Sequence, residues 1–110
     1  MNILVREDKG VAIFTLDGRV DTQGAVTMDQ SLQAAVAQGK YQIIMDMTDV
    51  TYISSAALRS LADVLTKSKK AGGDVKLVAL SSKIMRVFRI IGFDRYFSIY
   101  DTVEAAMAGF

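Results

Sequence analysis

Short apolar runs alternate along this chain with longer segments whose apolar residues recur three and four positions apart. The short runs predict strands, and they are Asn2–Glu7, Gly10–Leu16, Tyr41–Met45 and Val75–Leu80. The longer segments predict helices, which start near Thr22, at Ser54 or Ser55, and after Ser81-Ser82. Helices that connect successive strands require largely parallel pairing through right-handed crossovers, so the chain is predicted to form an α/β domain.

Turn and capping signals separate the predicted elements. Asp8-Lys9-Gly10 predicts a hairpin turn between the first two strands. Near the end of the chain, Tyr96–Tyr100 predicts a short edge strand. Asp101, followed three residues later by Glu104, then predicts a capping box for a last helix. The apolar stripe of that helix is Val103, Met107 and Phe110.

The composition argues against most kinds of enzyme. None of the 110 residues is histidine or cysteine, so the commonest general base, the thiol nucleophile and the usual zinc, iron–sulfur and haem ligands are missing. The chain also lacks a G-x-S-x-G elbow and a glycine-rich phosphate loop. We therefore expect a protein that is not an enzyme and that holds neither a metal nor a cofactor.

The charge balance and the hydropathy of the chain also limit which binding partners and which cellular location we expect. Thirteen basic and 12 acidic residues are interspersed, and this balance gives no reason to expect direct nucleic-acid binding. No apolar run approaches the roughly 18 residues of a membrane span, and Met1–Arg6 does not resemble a signal peptide. We expect a cytoplasmic protein, and a monomer, since no coiled-coil seam is evident.

The stretch from Asp46 to Leu58 is the most unusual part of the sequence. A buried strand is predicted to end at Met45 or Met47, and a polar loop then leads to two serines that open a helix. Loops at the carboxyl ends of parallel strands face the functional crevice of an open α/β sheet, and a helix N-terminus presents unpaired N–H groups there. One serine suffices as an N-cap, so the second is open to a functional role.

The residues of this stretch resemble the signature of a known family. Asp46-x-Thr48 followed by Tyr52-Ile53-Ser54-Ser55-Ala56-Ala57-Leu58 is similar to the signature of the STAS domain, the fold of anti-sigma factor antagonists. Further segments that resemble the family, in the same order, are Gly18–Asp21, Gly73–Leu77 and Ile91–Phe97. The resemblance implies a single STAS domain over residues 1–110. It also implies a mixed, mostly parallel sheet of four to five strands with about four helices packed on it.

The resemblance further implies a function by partner switching. Ser55 matches the serine that is phosphorylated, in that family, by a partner kinase that binds the ATP and is itself the anti-sigma factor. The unphosphorylated protein would bind this kinase, the phosphorylated protein would release it, and a PP2C-type phosphatase would reset the switch. The residues expected to contact the partner are Asp21, Thr22, Asp46, Ser54, Ala56, Ala57 and Arg59.

Several of these residues have a purely structural interpretation as well. The alignment with the family implies that Ser54 is the N-cap of the helix rather than the phosphate acceptor. Asp21 either borders the Ser55 segment or caps the helix that starts near Thr22. Asp46 either positions the Ser55 hydroxyl or bonds within its own loop, and together with Asp21 and Asp49 it is expected to line one end of the sheet.

Two other functions compete with the anti-sigma factor antagonist. STAS domains also serve as scaffold subunits of stress-sensing assemblies and as small subunits of lipid-transport systems. A stable partner without a kinase fold would point to that alternative. A Ser-Asp hydrolase is disfavoured because no histidine is present to act as the base.

Overall fold

Strands and helices alternate in the structure, a computed structural model that describes all 110 residues. The strands are β1 (Asn2–Asp8), β2 (Val11–Val20), β3 (Gln42–Ile53), β4 (Asp74–Val78) and β5 (Ser98–Tyr100). The helices are α1 (Thr22–Ala37), α2 (Ser55–Lys70), α3 (Ser82–Ile91) and α4 (Val103–Ala108), and a 3-10 turn covers Phe93–Arg95. None of the helices combines the length and the apolar character that crossing a membrane would require.

The five strands form one mixed sheet in the order β1-β2-β3-β4-β5. β1 runs antiparallel to β2, whereas β2, β3, β4 and β5 are parallel to their neighbours. The hairpin between β1 and β2 turns at Lys9 and Gly10, whose φ angles are 52° and 81°. A two-residue hairpin loop that matches the strand twist needs such positive φ values. The predicted α/β class, the hairpin and the mostly parallel sheet are therefore confirmed.

The larger apolar core lies on one face of the sheet, where α1, α2 and α3 pack. A smaller cluster lies on the opposite face beneath α4 and contains Val11, Ile13, Ile44, Val78 and Ala106. The two clusters meet across β3, where Ile43 belongs to the first cluster and its neighbour Ile44 to the second. The run that begins β3 is thus buried on both faces, as its nearly continuous apolar sequence predicted.

The predicted boundaries of β2 and β3 were wrong. β2 does not end at Leu16, and no polar loop follows Met47, because the two strands continue pairing in parallel as far as Val20 and Ile53. Two register shifts, between Thr15 and Asp17 and between Gly18 and Arg19, accommodate the extension. The paired ends of β2 and β3 consequently project beyond the end of β4, whose last partner on β3 is Asp46.

The capping box predicted for α4 was also wrong. Thr102 is the N-cap, since its Oγ1 accepts the N–H of Ala105 at 3.1 Å, and Asp101 lies outside the helix. β5 is also shorter than predicted and begins at Ser98. The residue of α4 that is fully buried is Ala106, whereas Phe110 stays 37% exposed beyond the end of the helix.

Candidate functional site

Ser54 and Ser55 stand where β3 passes into α2, and the fold uses them differently. Ser54 has an extended backbone (φ −83°, ψ 162°), and its Oγ accepts the N–H of Ala57 at 3.2 Å. It is therefore the N-cap, as predicted, and only 7% of its surface is exposed. Ser55 is the first helical residue, is exposed, and donates no side-chain hydrogen bond within the chain. The hydroxyl of Ser54 is therefore used in capping α2, whereas the hydroxyl of Ser55 is free to react or to bind a partner.

The end of β2 and the start of α1 hold this junction from the side. The N–H of Ser54 donates to the carbonyl of Val20 at 2.8 Å, and its Oγ lies 3.3 Å from the carbonyl of Asp21, to which it donates. The Asp21 carboxylate caps α1 by accepting the N–H of Gly24 at 2.8 Å. Both interpretations of Asp21 are thus satisfied, because it caps α1 and also borders the serine pair. The N-termini of α1 and α2 lie side by side as a result.

An open groove of about 500 Å³ separates the N-terminal halves of α1 and α2. We call it the α1–α2 groove, and its lining residues are Thr22, Ala25, Val26, Asp29, Gln30, Ala56, Arg59 and Ser60. Three of these residues were predicted as partner contacts, namely Thr22, Ala56 and Arg59. The structure places all three on one surface beside Ser55. The sequence analysis missed the α1 wall of the groove. The available signal was Val26, an apolar residue next to the buried stripe of α1 that is 48% exposed.

Polar side chains tie α1 to α2 along the rest of the helix pair. Ser60 Oγ donates to Asp29 Oδ1 at 2.5 Å, and Gln33 Nε2 donates to Asp63 Oδ2 at 2.9 Å. Lys67 donates to Gln33 Oε1 at 2.9 Å and pairs with Asp63 at 3.1 Å. The hydrogen bond from Gln33, followed by the hydrogen bond and charge of Lys67, lowers the pKa of Asp63. These contacts hold the two walls of the groove at a defined spacing.

The cations near the serine pair are in different situations. Arg19 lies over the ring of Tyr52, with its guanidinium carbon 4.4 Å from the ring centroid. Arg59 is exposed one helical turn after Ser55 and takes part in no ion pair or side-chain hydrogen bond. Arg59 is therefore an unengaged positive charge on the wall of the α1–α2 groove.

A comparison with known protein families identifies the family to which this fold belongs. A family model described as "STAS domain" matches residues 2–106. The chain belongs to the STAS domain family. The predicted family is thereby confirmed over almost the whole length of the chain, including the strand-to-helix junction that carries Ser54 and Ser55.

Two curated STAS relatives cover this chain almost completely. BtrV of Bordetella bronchiseptica, whose name provisionally assigns it as an anti-sigma factor antagonist, is 31% identical over 110 residues, which are 100% of this chain and 95% of BtrV. RsfB of Mycobacterium tuberculosis, named as an anti-sigma-F factor antagonist, is 27% identical over 111 residues, covering 99% of this chain and 88% of RsfB.

Solved structures show the same STAS fold. The anti-sigma factor antagonist SpoIIAA in its unphosphorylated form superposes with a TM-score of 0.85 at 17% identity, covering 96% of this chain and 93% of that one. The phosphorylated form of SpoIIAA from Bacillus superposes with a TM-score of 0.79 at 16% identity, covering 97% of each chain. At these identities the likeness establishes the shared fold.

Within this STAS domain, Asp46 lies away from the serine pair. Its Oδ1 accepts both the N–H and the Oγ1–H of Thr48, at 3.1 and 2.6 Å. Asp46 is level with Val78 in the sheet and precedes Ile53 by seven residues, which corresponds to roughly 20 Å of strand. The expectation that Asp46 lines the same end of the sheet as Asp21 was wrong, and Asp46 bonds within its own segment instead.

Ala57 is also placed where it offers no surface to a partner. Its side chain is fully buried in the main core cluster, and its N–H is bonded to Ser54. The methyl group of Ala57 therefore faces the core and not the groove. Of the residues predicted to contact a partner, those with accessible side chains near Ser55 are Asp21, Thr22, Ala56 and Arg59.

Proposed function

We propose that this STAS domain is an anti-sigma factor antagonist that works by partner switching, with Ser55 as the residue that is phosphorylated. The observation that carries the proposal is the division of labour between the two serines, since Ser54 caps α2 and leaves Ser55 exposed. The names of BtrV and RsfB support the antagonist function. SpoIIAA, which has the same fold, occurs in a phosphorylated form.

The phosphoryl transfer needs only a hydroxyl from this chain. Ser55 Oγ attacks the γ-phosphorus of an ATP molecule that the partner kinase holds, its proton passes to a base of the kinase, and ADP leaves. Because Ser55 is exposed at the first position of α2, the hydroxyl can enter the active site of another protein without local unfolding. A PP2C-type phosphatase would reach the phosphate by the same route. Kinase, phosphatase and antagonist would meet in the cytoplasm.

The unphosphorylated form would bind the kinase through the surface around Ser55. That surface comprises Asp21 at the cap of α1 and the α1–α2 groove, whose walls carry Thr22, Ala56 and Arg59. Val26 adds an exposed apolar side chain to the groove, of the kind that the buried centre of an interface contains. The hydrogen bonds between α1 and α2 make this surface largely preformed.

Phosphorylation would release the kinase by charge repulsion. The phosphate adds about −1.5 to −2 charges at neutral pH, and the N-terminus of α2 accommodates an anion in the free protein. Against an acidic group of the partner about 6 Å away, at an effective dielectric of about 20, one such charge is repelled by roughly 3 kcal/mol. That energy corresponds to a loss of affinity of about a hundredfold. Release would therefore require no refolding of the domain.

The test is affinity capture from native cytosol in the presence of magnesium and ADP, with Ser55→Ala and Ser55→Asp as paired baits. We expect mass spectrometry to find a kinase-fold protein held by the alanine variant and depleted with the aspartate variant. The matched control is Ser82→Ala beside Ser82→Asp, because Ser82 is the exposed first residue of another serine-capped helix. A kinase held equally by both Ser55 baits would overturn the charge mechanism. A stable partner without a kinase fold would replace this proposal by the scaffold function.

A further inference from the structure

Arg59 lies one helical turn after Ser55 on α2, and the proposed mechanism gives this spacing no role. The two residues are four positions apart on α2, and both side chains are exposed. Residues at this spacing lie on the same face of a helix, with their Cβ atoms about 5–6 Å apart. The order also matters, because an anion that precedes a cation by four residues agrees with the helix dipole and is the more stabilising arrangement.

On its own helix, the carboxylate within reach of Arg59 is that of Asp63, four positions later, and it already accepts Gln33 Nε2 at 2.9 Å and pairs with Lys67 at 3.1 Å. Between Ser55 and Ala62, Arg59 is the only charged residue of α2. The carboxylates that face this region from α1 are already engaged, since Asp21 caps α1 and Asp29 accepts the hydroxyl of Ser60. On the β2 side, Arg19 is held over the ring of Tyr52. The guanidinium of Arg59 is therefore free to meet a new anion.

We propose that Arg59 is the counter-ion of phosphorylated Ser55. The inference rests on the proposed function only in that Ser55 carries a phosphate. A guanidinium presents planar, paired N–H donors that match two oxygens of a phosphate, and such charge-assisted bonds are stronger than neutral ones. In the unphosphorylated protein, Arg59 is an unpaired cation on the α1–α2 groove. In the phosphorylated protein, the phosphate turns this cation toward Ser55 and withdraws it from the groove.

The pairing has a consequence for the switch. Phosphorylation changes the surface that meets the partner in two ways. It adds negative charge at Ser55, and it neutralises the positive charge of Arg59 one turn further along α2. An acidic group of a partner that meets Arg59 before phosphorylation loses this contact in the same event. Arg59 is a positioning residue in this scheme, since it acts on the phosphate and takes no part in the transfer.

The experiment uses the full chain with phosphoserine installed at position 55 during translation, so that no kinase is needed. A phosphorus NMR titration then measures the second pKa of the phosphate, which is about 6 for an unperturbed group. Since a nearby cation favours the dianion, we expect Arg59→Ala to raise this pKa by about 0.3 unit. Arg59→Lys is expected to recover part of the difference, and high salt to shrink it.

Arg86→Ala is the matched control, because Arg86 is an exposed arginine that follows the first residue of α3 by four positions. It removes the same charge at a different helix and is expected to leave the phosphate pKa within about 0.1 unit of the parent protein. The side-chain Nε–H resonance of Arg59 gives a second readout and is expected to shift on phosphorylation while that of Arg86 does not. Thermal melting of each variant checks that the fold is intact.

Equal phosphate pKa values for Arg59→Ala and Arg86→Ala, together with an unmoved Arg59 resonance, would overturn the inference. This result is independent of the proposed function, because the phosphate is supplied without a kinase. A confirmed pair with no kinase found by affinity capture would instead leave the counter-ion established and the partner-switching proposal rejected.

Discussion

The N-termini of α2 and α3 are built from closely similar sequence, Ile53–Arg59 in one case and Leu80–Arg86 in the other. Each begins with an apolar residue and two serines, and each carries an arginine six positions after that apolar residue. The first serine caps its helix in both cases, with Ser54 accepting the N–H of Ala57 and Ser81 that of Ile84, each at 3.2 Å. The local chemistry of the two helix starts is therefore nearly the same.

Their surroundings are different. Ser54 is nearly buried and bonds to the end of β2, which brings the start of α1 beside Ser55 and opens the α1–α2 groove next to it. Ser81 is exposed, and its only side-chain hydrogen bond lies within its own helix. A serine pair at a helix start is thus a common local motif. A second helix start beside it turns the motif into a candidate recognition surface.

The largest expected effect is on kinase affinity, which a negative charge at position 55 should lower and a negative charge at position 82 should leave unchanged. When the kinase has been identified, phosphoserine at position 55 is expected to weaken its binding by more than about a hundredfold, because the repulsion estimated above for one charge already gives that factor and the phosphate carries nearly two. Ser55→Asp should lose only part of that affinity, because it adds one charge instead of nearly two. Isothermal titration calorimetry checks both values, and a comparable loss with Ser82→Asp would show that the two helix starts are functionally alike.

A smaller effect is expected on the free energy of unfolding, which should fall more when Ser54 is replaced than when Ser81 is. Ser54→Ala removes the cap and a bond to Asp21 at a nearly buried site, and is expected to cost about 2 kcal/mol, the upper end for an N-cap. Ser81→Ala removes an exposed cap and is expected to cost about 1 kcal/mol or less. Urea unfolding measures both free energies. Equal losses would mean that the bond from Ser54 Oγ to the Asp21 carbonyl adds nothing to the cap.

The smallest effect tests the ties between α1 and α2. Because the pKa of Asp63 is lowered in the folded protein, the carboxylate stabilises the fold above its unfolded pKa, and this contribution is lost as the pH falls through the folded value. Melting temperatures across acidic pH are therefore expected to fall less steeply for Asp63→Asn than for the parent chain. Asp94→Asn, beside α3, serves as the control. Identical profiles for the parent chain and Asp63→Asn would remove Asp63 from the acid response.

The features that short-range patterns control were predicted well from the sequence. The helix starts near Thr22, at the Ser54-Ser55 pair and at the Ser81-Ser82 pair, and the hairpin at Lys9-Gly10, follow from contacts within four residues. The capping box at Asp101 failed because Thr102, one residue later, is an equally good cap by sequence and is the residue whose Oγ1 accepts the N–H of Ala105.

The misplaced strand ends and the missed groove have a different origin. Polar residues between Met47 and Ser54 resemble a loop when β3 is considered alone, and they form a strand only because β2 supplies pairing partners as far as Val20. The displacement of Asp46 from the serine pair follows directly from that extension. Asp29 gave no functional signal in the sequence, and Val26 gave only that of an apolar residue beside the buried stripe of α1, because the groove exists only where α1 lies against α2.

The sequence patterns indicated which segments are helices and strands and which family the chain resembles, and that resemblance in turn indicated which serine caps α2. The tertiary structure added that the start of α1 lies beside that of α2, that a groove opens between these two helices, and that Arg59 faces this groove without a partner of its own. The physical reason is the range of the interactions. Caps and turns are made by hydrogen bonds between near neighbours in the chain, whereas strand extension and grooves arise from pairing and packing between distant segments.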